Sequence, residues 1–185
     1  IPTPVDPEGL AGFDRYGPLL RIYAERYGFS WLQMAALAFQ ESGLNHARVS
    51  PRGAVGLMQL LPSTSAYLGF PDPRNLEQNV HAGCKYMALL RDVVAQERPL
   101  APDAKLDLAL AAYNMGRGRL RYLRRMAAER GLDPDVWFDN VELMALERVG
   151  QEPVRYVANV NRFYVAYALA LQRRAEAERQ RRVQP

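Results

Sequence analysis

The sequence holds one cysteine, Cys84, and two histidines, His46 and His81. A single thiol forbids an internal disulfide, so cysteine usage does not reveal the redox compartment. One thiol and two imidazoles build no zinc-type ligand set at a recognisable spacing, and nothing in the chain calls for a metal or cofactor. No run approaches the ~18 apolar residues of a membrane span. The chain opens at Ile1 without the basic and apolar regions of a signal peptide, which reads as a trimmed fragment. Convincing strand patterns, repeats and low-complexity blocks are missing as well, so the expected fold class is all-α.

What is present describes an ordinary globular protein: 185 residues, 49% hydrophobic and 24% charged. That length suits one domain burying roughly two thirds of the surface of its unfolded chain. The 24 basic residues exceed the 20 acidic ones, a net charge of +4. Such a surplus favours an anionic partner, with nucleic acid, lipid headgroups and carboxylate-bearing peptides as candidates. Nucleic acid is the weakest, because no recognised motif interleaves the basic residues with stacking aromatics. Part of the surplus, Arg173, Arg174, Arg179, Arg181 and Arg182, alternates with Glu176 and Glu178 and reads as a solvated helix end carrying surface ion pairs.

Residues 1–12, rich in proline and glycine, read as a linker or entry arm, residues 13–172 as the folded domain, and 173–185 as a charged helical tail. Tyr16, Leu20, Tyr23 and Tyr27 form an amphipathic helical stripe ending near Gly28. Ser30 with Gln33 makes a capping-box pattern before Met34–Phe39, a run apolar on every face and therefore a buried helix. Residues 44–61 keep no period and read as a structured loop. Further helices are expected over 63–68, from Asn75 to about Gln96, over 105–114 and 117–130, and from Val157 onward. Cys84 lies on an apolar helical face and reads as a small core residue.

Glu41 stands out because it ends the most apolar helix and precedes a glycine-punctuated loop. Burial and the negative end of the helix dipole both disfavour its charged form, so a raised pKa is the physical expectation. A carboxyl group that keeps its proton near neutral pH is what a general acid on a glycosidic oxygen requires. Position alone favours a solvated or salt-bridged surface glutamate, since most glutamates lie at the surface.

The neighbouring motifs change that balance. Glu41-Ser42, then Ser50-Pro51-x-Gly53-Ala54-x-Gly56-Leu57-Met58-Gln59, then Ala111-Ala112-Tyr113-Asn114-x-Gly116 occur in order. Asn79-x-x-x-Gly83-x-x-Tyr86 lies between the second and third, and Glu152-x-x-x-Tyr156-Val157 follows. In these five motifs the chain resembles the soluble-lytic-transglycosylase family of the lysozyme-like superfamily, over roughly residues 16–167. The segments 131–142 and 156–167 are also similar to the catalytic half of the membrane-bound lytic transglycosylase F group. In that group a solute-binding-protein-like module precedes the catalytic one.

The resemblance implies a lysozyme-like, goose-type-lysozyme-like helical fold with a substrate groove, and peptidoglycan glycan strands as the partner. It makes Glu41 the sole catalytic carboxylate and places Ser50, Met58, Gln59, Tyr113 and Asn114 along the saccharide groove. It further implies that Tyr156 approaches Glu41 and that Glu152 lines or braces the site. Hydroxyl and amide groups suit sugar hydroxyls and N-acetyl groups, and a methionine supplies a soft apolar wall. Read singly, Met58 is core filler, Tyr113 and Tyr156 are packed aromatics, and Ser50 before Pro51 is a turn residue. Two departures stand out. His46 follows Asn45 where the family often has proline, and Pro153 follows Glu152 where it usually has threonine, which removes an N–H and a hydroxyl.

Hydrolytic glycosidases generally use two carboxylates. No acidic residue lies between Glu41 and Asp72, so the loop supplies no second one. The expected chemistry is therefore cleavage of the β-1,4 bond between N-acetylmuramic acid and N-acetylglucosamine without water. The muramic C6 hydroxyl closes on C1 to leave a 1,6-anhydro end, an intramolecular attack favoured by high effective concentration. The competing readings are a hydrolytic lysozyme-like muramidase and a peptidoglycan-binding module without turnover. Such an enzyme would work in the periplasm, tethered to the outer membrane through sequence outside this chain, and its oligomeric state is not legible.

Overall fold

The computed structural model describes residues 3–96 and 99–183. Eight helices run along it: α1 (Pro7–Arg26), α2 (Trp31–Ser42), α3 (Pro62–Tyr67), α4 (Leu76–Val94), α5 (Pro102–Met115), α6 (Arg117–Glu129), α7 (Glu142–Arg148) and α8 (Gln151–Val183). Among the described residues there is no β-strand, only isolated antiparallel bridges joining Val49 to Val55 and Val55 to Leu60. The helices expected from periodicity and caps are all present. Asn75 accepts from the Gln78 N–H at 3.0 Å, opening α4 as its sequence predicts. The Ser30 N–H likewise donates to the Gln33 side chain at 3.1 Å.

Two expectations need correction. Residues 7–12 are not a linker: α1 starts at Pro7, capped by Asp6, whose carboxylate accepts from the Gly9 N–H at 2.7 Å. Proline in a first turn gives up no helical bond, so a residue that looked like a breaker is a starter. Residues 1–2 of the expected arm lie outside the described residues. In the tail, Arg174 reaches α1 and pairs with both oxygens of Asp14, at 2.6 and 3.2 Å, rather than with Glu176 or Glu178. Planar guanidinium–carboxylate geometry rewards that two-pronged contact over a single-point pair along one helix.

The chain forms two compact units, Ile1–Cys84 with Val160–Pro185, and Lys85–Asn159. In the first, α1 packs on α2, and Met34, Ala35, Ala36, Leu37 and Ala38 are completely buried, as a helix apolar all round must be. Phe13 stacks on Tyr167 with ring centroids 4.4 Å apart. The first turns of α4 are tied to α1 by polar aromatics. Tyr23 donates to Glu77 at 2.6 Å, the Tyr27 hydroxyl lies 2.8 Å from His81 Nε2, and the His81 ring stacks on Tyr23. Cys84 is buried here, and desolvation pushes its thiol up to about 12.

The second unit packs α5, α6 and α7 around Leu108, Leu120, Leu123 and Trp137. Before α7 the chain makes a wide turn at Trp137–Val141, where Phe138 is extended and Asp139 left-handed. The Arg124 guanidinium fastens this turn to the end of α4. It donates to the carbonyls of Pro134 (2.8 Å) and Val94 (3.0 Å) and forms an ion pair with Asp135.

Candidate active site

Glu41 is the penultimate residue of α2, half-buried, two positions after the end of the six buried residues Met34–Phe39. No basic residue occupies the last turn, and the helix stops at Gly43, whose φ of 66° only glycine adopts at little cost. The neighbouring Ser42 is buried. Its hydroxyl lies 3.0 Å from the Ala38 carbonyl and 2.8 Å from that of Leu57, so one proton serves both the helix and the loop that follows. The carboxylate therefore sits on a rigid, desolvated mount next to an irregular segment.

That segment, residues 44–61, is held by side chains. Asn79 on α4 is completely buried and uses three of its bonding positions: Nδ2 donates to the carbonyls of Val55 (2.9 Å) and Pro73 (3.0 Å), and Oδ1 accepts from the Met58 N–H (2.9 Å). Gly56 allows this approach, since a Cβ there would lie 2.6 Å from Asn79 Nδ2. His46, which looked like a departure from the family pattern, is a second fastener. Its Nδ1 accepts from the Leu57 N–H (3.1 Å) and its Nε2 lies 2.8 Å from the Arg74 carbonyl. A neutral ring protonated on Nε2 meets both demands.

The expected saccharide contacts divide on inspection. Ser50 is half-buried and its hydroxyl accepts from the Ala54 N–H at 3.0 Å, the turn role open to it from the start. Gln59 is half-buried with a left-handed backbone (φ 47°), and its Nε2 donates to the carbonyls of Arg48 (3.0 Å) and Gly56 (2.8 Å). Both amide protons are thus spent on the loop, leaving Oε1 as the atom it can offer a ligand. Met58 requires correction: it has no exposed surface and packs against Gly83, where a Cβ would lie 2.6 Å from Met58 Cγ. It supports the loop from beneath instead of walling a groove, because the close approach of α4 leaves a sulfur-bearing side chain no path outward.

In the second unit, Tyr113 and Asn114 close α5 just before Gly116. Tyr113 is half-buried, and its ring pairs with that of Tyr86 on α4, 5.3 Å between centroids. Burial raises the Tyr86 phenol pKa, and the nearby Arg117 partly opposes that rise. Asn114 Nδ2 donates to Glu152 Oε1 at 2.8 Å, so two expected site residues far apart in sequence meet. Pro153 does no damage beside Glu152, because α8 starts at Gln151 and proline is tolerated in a first turn. Tyr156 is buried. Glu41, Ser50, Met58 and Gln59 belong to the first unit, and Tyr113, Asn114, Glu152 and Tyr156 to the second. The fasteners Asn79 and His46 were not singled out from sequence as site-forming. A lone asparagine on an otherwise apolar helix face was the available clue.

Among the described residues the domain is helical and strandless, with one carboxylate in the last turn of α2 ahead of an irregular loop, and its fold is that of known transglycosylases. The chain superposes on the 70 kDa soluble lytic transglycosylase of Escherichia coli with a TM-score of 0.66 and 24% identity, over 84% of this chain and 24% of that one. An inactive mutant of lytic transglycosylase Slt from Pseudomonas aeruginosa gives 0.63 at the same identity and coverage. The family model for the transglycosylase SLT domain matches residues 18–134, and the chain belongs to that family. Similar relatives include the membrane-bound lytic murein transglycosylase F of Marinobacter nauticus, 35% identical over 163 residues, and that of Desulfosudis oleivorans, 34% identical over 163. Each alignment covers 81% of this chain but only 32% and 36% of the relative, so the chain spans about a third of their length.

Proposed function

We propose that this domain is the catalytic part of a peptidoglycan lytic transglycosylase, with Glu41 as its acid and base. The observation that carries the reading is the mount of Glu41: a half-buried carboxylate in the last turn of a helix whose residues Met34–Phe39 are buried. No acidic residue follows before Asp72. Glu41 gives its proton to the oxygen bridging N-acetylmuramic acid and N-acetylglucosamine, and that bond breaks. As carboxylate it then takes the proton of the muramic C6 hydroxyl while that oxygen bonds to C1. The product is a 1,6-anhydro end, and the enzyme regains its acid. The substrate's own hydroxyl stands where a second carboxylate would activate water in a hydrolase.

In the same reading Ser50, Gln59 through Oε1, Tyr113 and Asn114 contact the glycan. Glu152 braces Asn114. The relatives' names support a cell-envelope setting, and we place the enzyme in the periplasm, in a longer protein that carries a solute-binding-like regulatory module and an outer-membrane tether.

The test is product analysis on purified sacculi with the wild type and Glu41→Gln, which keeps size and removes the acid. Anhydro ends from the wild type and a loss of at least about a thousandfold in the variant are expected, general acid catalysis together with its reciprocal base step being worth that much. Reducing ends, heavier by one water, would assign a hydrolytic muramidase instead. Undiminished release by Glu41→Gln would reject the catalytic role.

A further inference from the structure

Helix α6 carries five arginines against one glutamate, a surplus equal to the net +4 of the entire chain. Arg117, Arg121 and Arg124 recur at the spacing of one helix face, and all three line a cleft of about 230 Å³ with Val93, Val94, Gln96 and Leu120. Arg124 is spent, its donors fixed on two carbonyls and Asp135. Arg117 and Arg121 are exposed, and among the described residues no acidic side chain lines the cleft. Arg117 is also the first residue of α6, so the unpaired N–H groups of the first turn add positive potential beside it.

We infer that this cleft binds a free carboxylate on the stem peptide of peptidoglycan, with Arg117 and Arg121 as its ligands. The inference rests on the function proposed above and names a part of the substrate that it leaves unassigned. Three observations favour this ligand. The cleft, about 230 Å³, has room for a carboxylate and the residue bearing it. Among the described residues no aromatic ring lines the cleft to stack on a pyranose. A guanidinium pair selects planar carboxylates by two-pronged bonding. In an intact strand the muramic lactyl carboxyl is consumed in the amide to the peptide, so the free carboxylates belong to the peptide. The position also suits it, because the field of Arg117 acts on the Tyr86 phenol, and Tyr86 pairs with the glycan-contacting Tyr113.

The experiment measures calorimetric binding of a disaccharide tetrapeptide and of the same compound with its peptide carboxylates amidated. Wild type and the Arg117→Gln/Arg121→Gln double variant are compared, with phosphatidylglycerol vesicles as a third probe. Because both arginines are exposed, the double variant should fold, which circular dichroism checks. The acid form is expected to lose about tenfold or more in affinity in the double variant, as loss of two charge-assisted contacts implies. The amidated form should bind both proteins equally weakly. Equal wild-type binding of acid and amidated forms, or undiminished binding of the acid form by the double variant, would overturn the assignment. Loss of vesicle binding with muropeptide affinity unchanged would overturn it in favour of a lipid headgroup. Turnover by Glu41→Gln is read separately, so failure of the catalytic reading is distinguishable from failure of this one.

Discussion

Replacing Asn79 by alanine strips the loop of its central anchor while removing little volume. Two buried backbone groups, the Met58 N–H and the Pro73 carbonyl, lose their partner, and the Val55 carbonyl loses one of two, keeping the Leu60 N–H. An orphaned buried polar group costs about 1–3 kcal/mol. Water entering the vacated space will satisfy part of this, so a net loss of roughly 2–4 kcal/mol is expected, a large share of the ~5–15 kcal/mol that holds a typical domain. For a chain of this length that corresponds to a fall in Tm of roughly 10 °C. Urea titration reads the stability change, and amide hydrogen exchange reads its location. The Met58 amide should lose protection far more than amides in α6. A change below about 1 kcal/mol, or exchange that speeds uniformly over both units, would refute the claim that Asn79 holds this segment.

The close approach of α4 to the loop is tested by Gly83→Ala. A Cβ there would meet Met58 at 2.6 Å, and the overpacking should outweigh the ~1 kcal/mol helix gain of alanine, giving net destabilisation by urea titration; a more stable variant would contradict the contact. Cys84, buried and with its thiol pushed up to about 12, should resist aromatic disulfide reagents in native buffer and react fully in denaturant; rapid native labelling would contradict its burial. At high pH the sign is fixed by groups whose folded pKa values are raised: Tyr23 by its bond to Glu77, and Tyr27, Tyr167 and Cys84 by burial. The unfolded chain loses these protons first, so stability is whole below the ordinary thiol and phenol range and falls as pH climbs through about 9–11. Urea midpoints across that range check it, and a constant midpoint would refute it.

The helices were legible because their apolar spacing and caps are local signals: Ser30 with Gln33, Asn75 with Gln78, and the run Met34–Phe39 each name their own element. The start of α1 was not, because Pro7 looks the same whether it breaks a chain or begins a helix, and the difference lies in Asp6 reaching the Gly9 N–H. Glu41 could be singled out from the apolar helix before it and the motif order after it. Met58 and His46 were misjudged because their roles depend on Gly83, Leu57 and Arg74, partners that no periodicity relates to them. The pairing of Asn114 with Glu152 spans 38 positions and belongs to the same class of information.

The segment after Glu41 forms no strand, and its outline comes from scattered turn and bridge bonds between backbone groups together with separate polar rivets contributed by Ser42, His46, Ser50, Gln59 and Asn79. A surface built that way can be reshaped one rivet at a time, since each fixes only a few backbone atoms and none carries the hydrophobic core. The same modularity gives a protein engineer a place to alter the loop surface without redesigning the helix that carries Glu41.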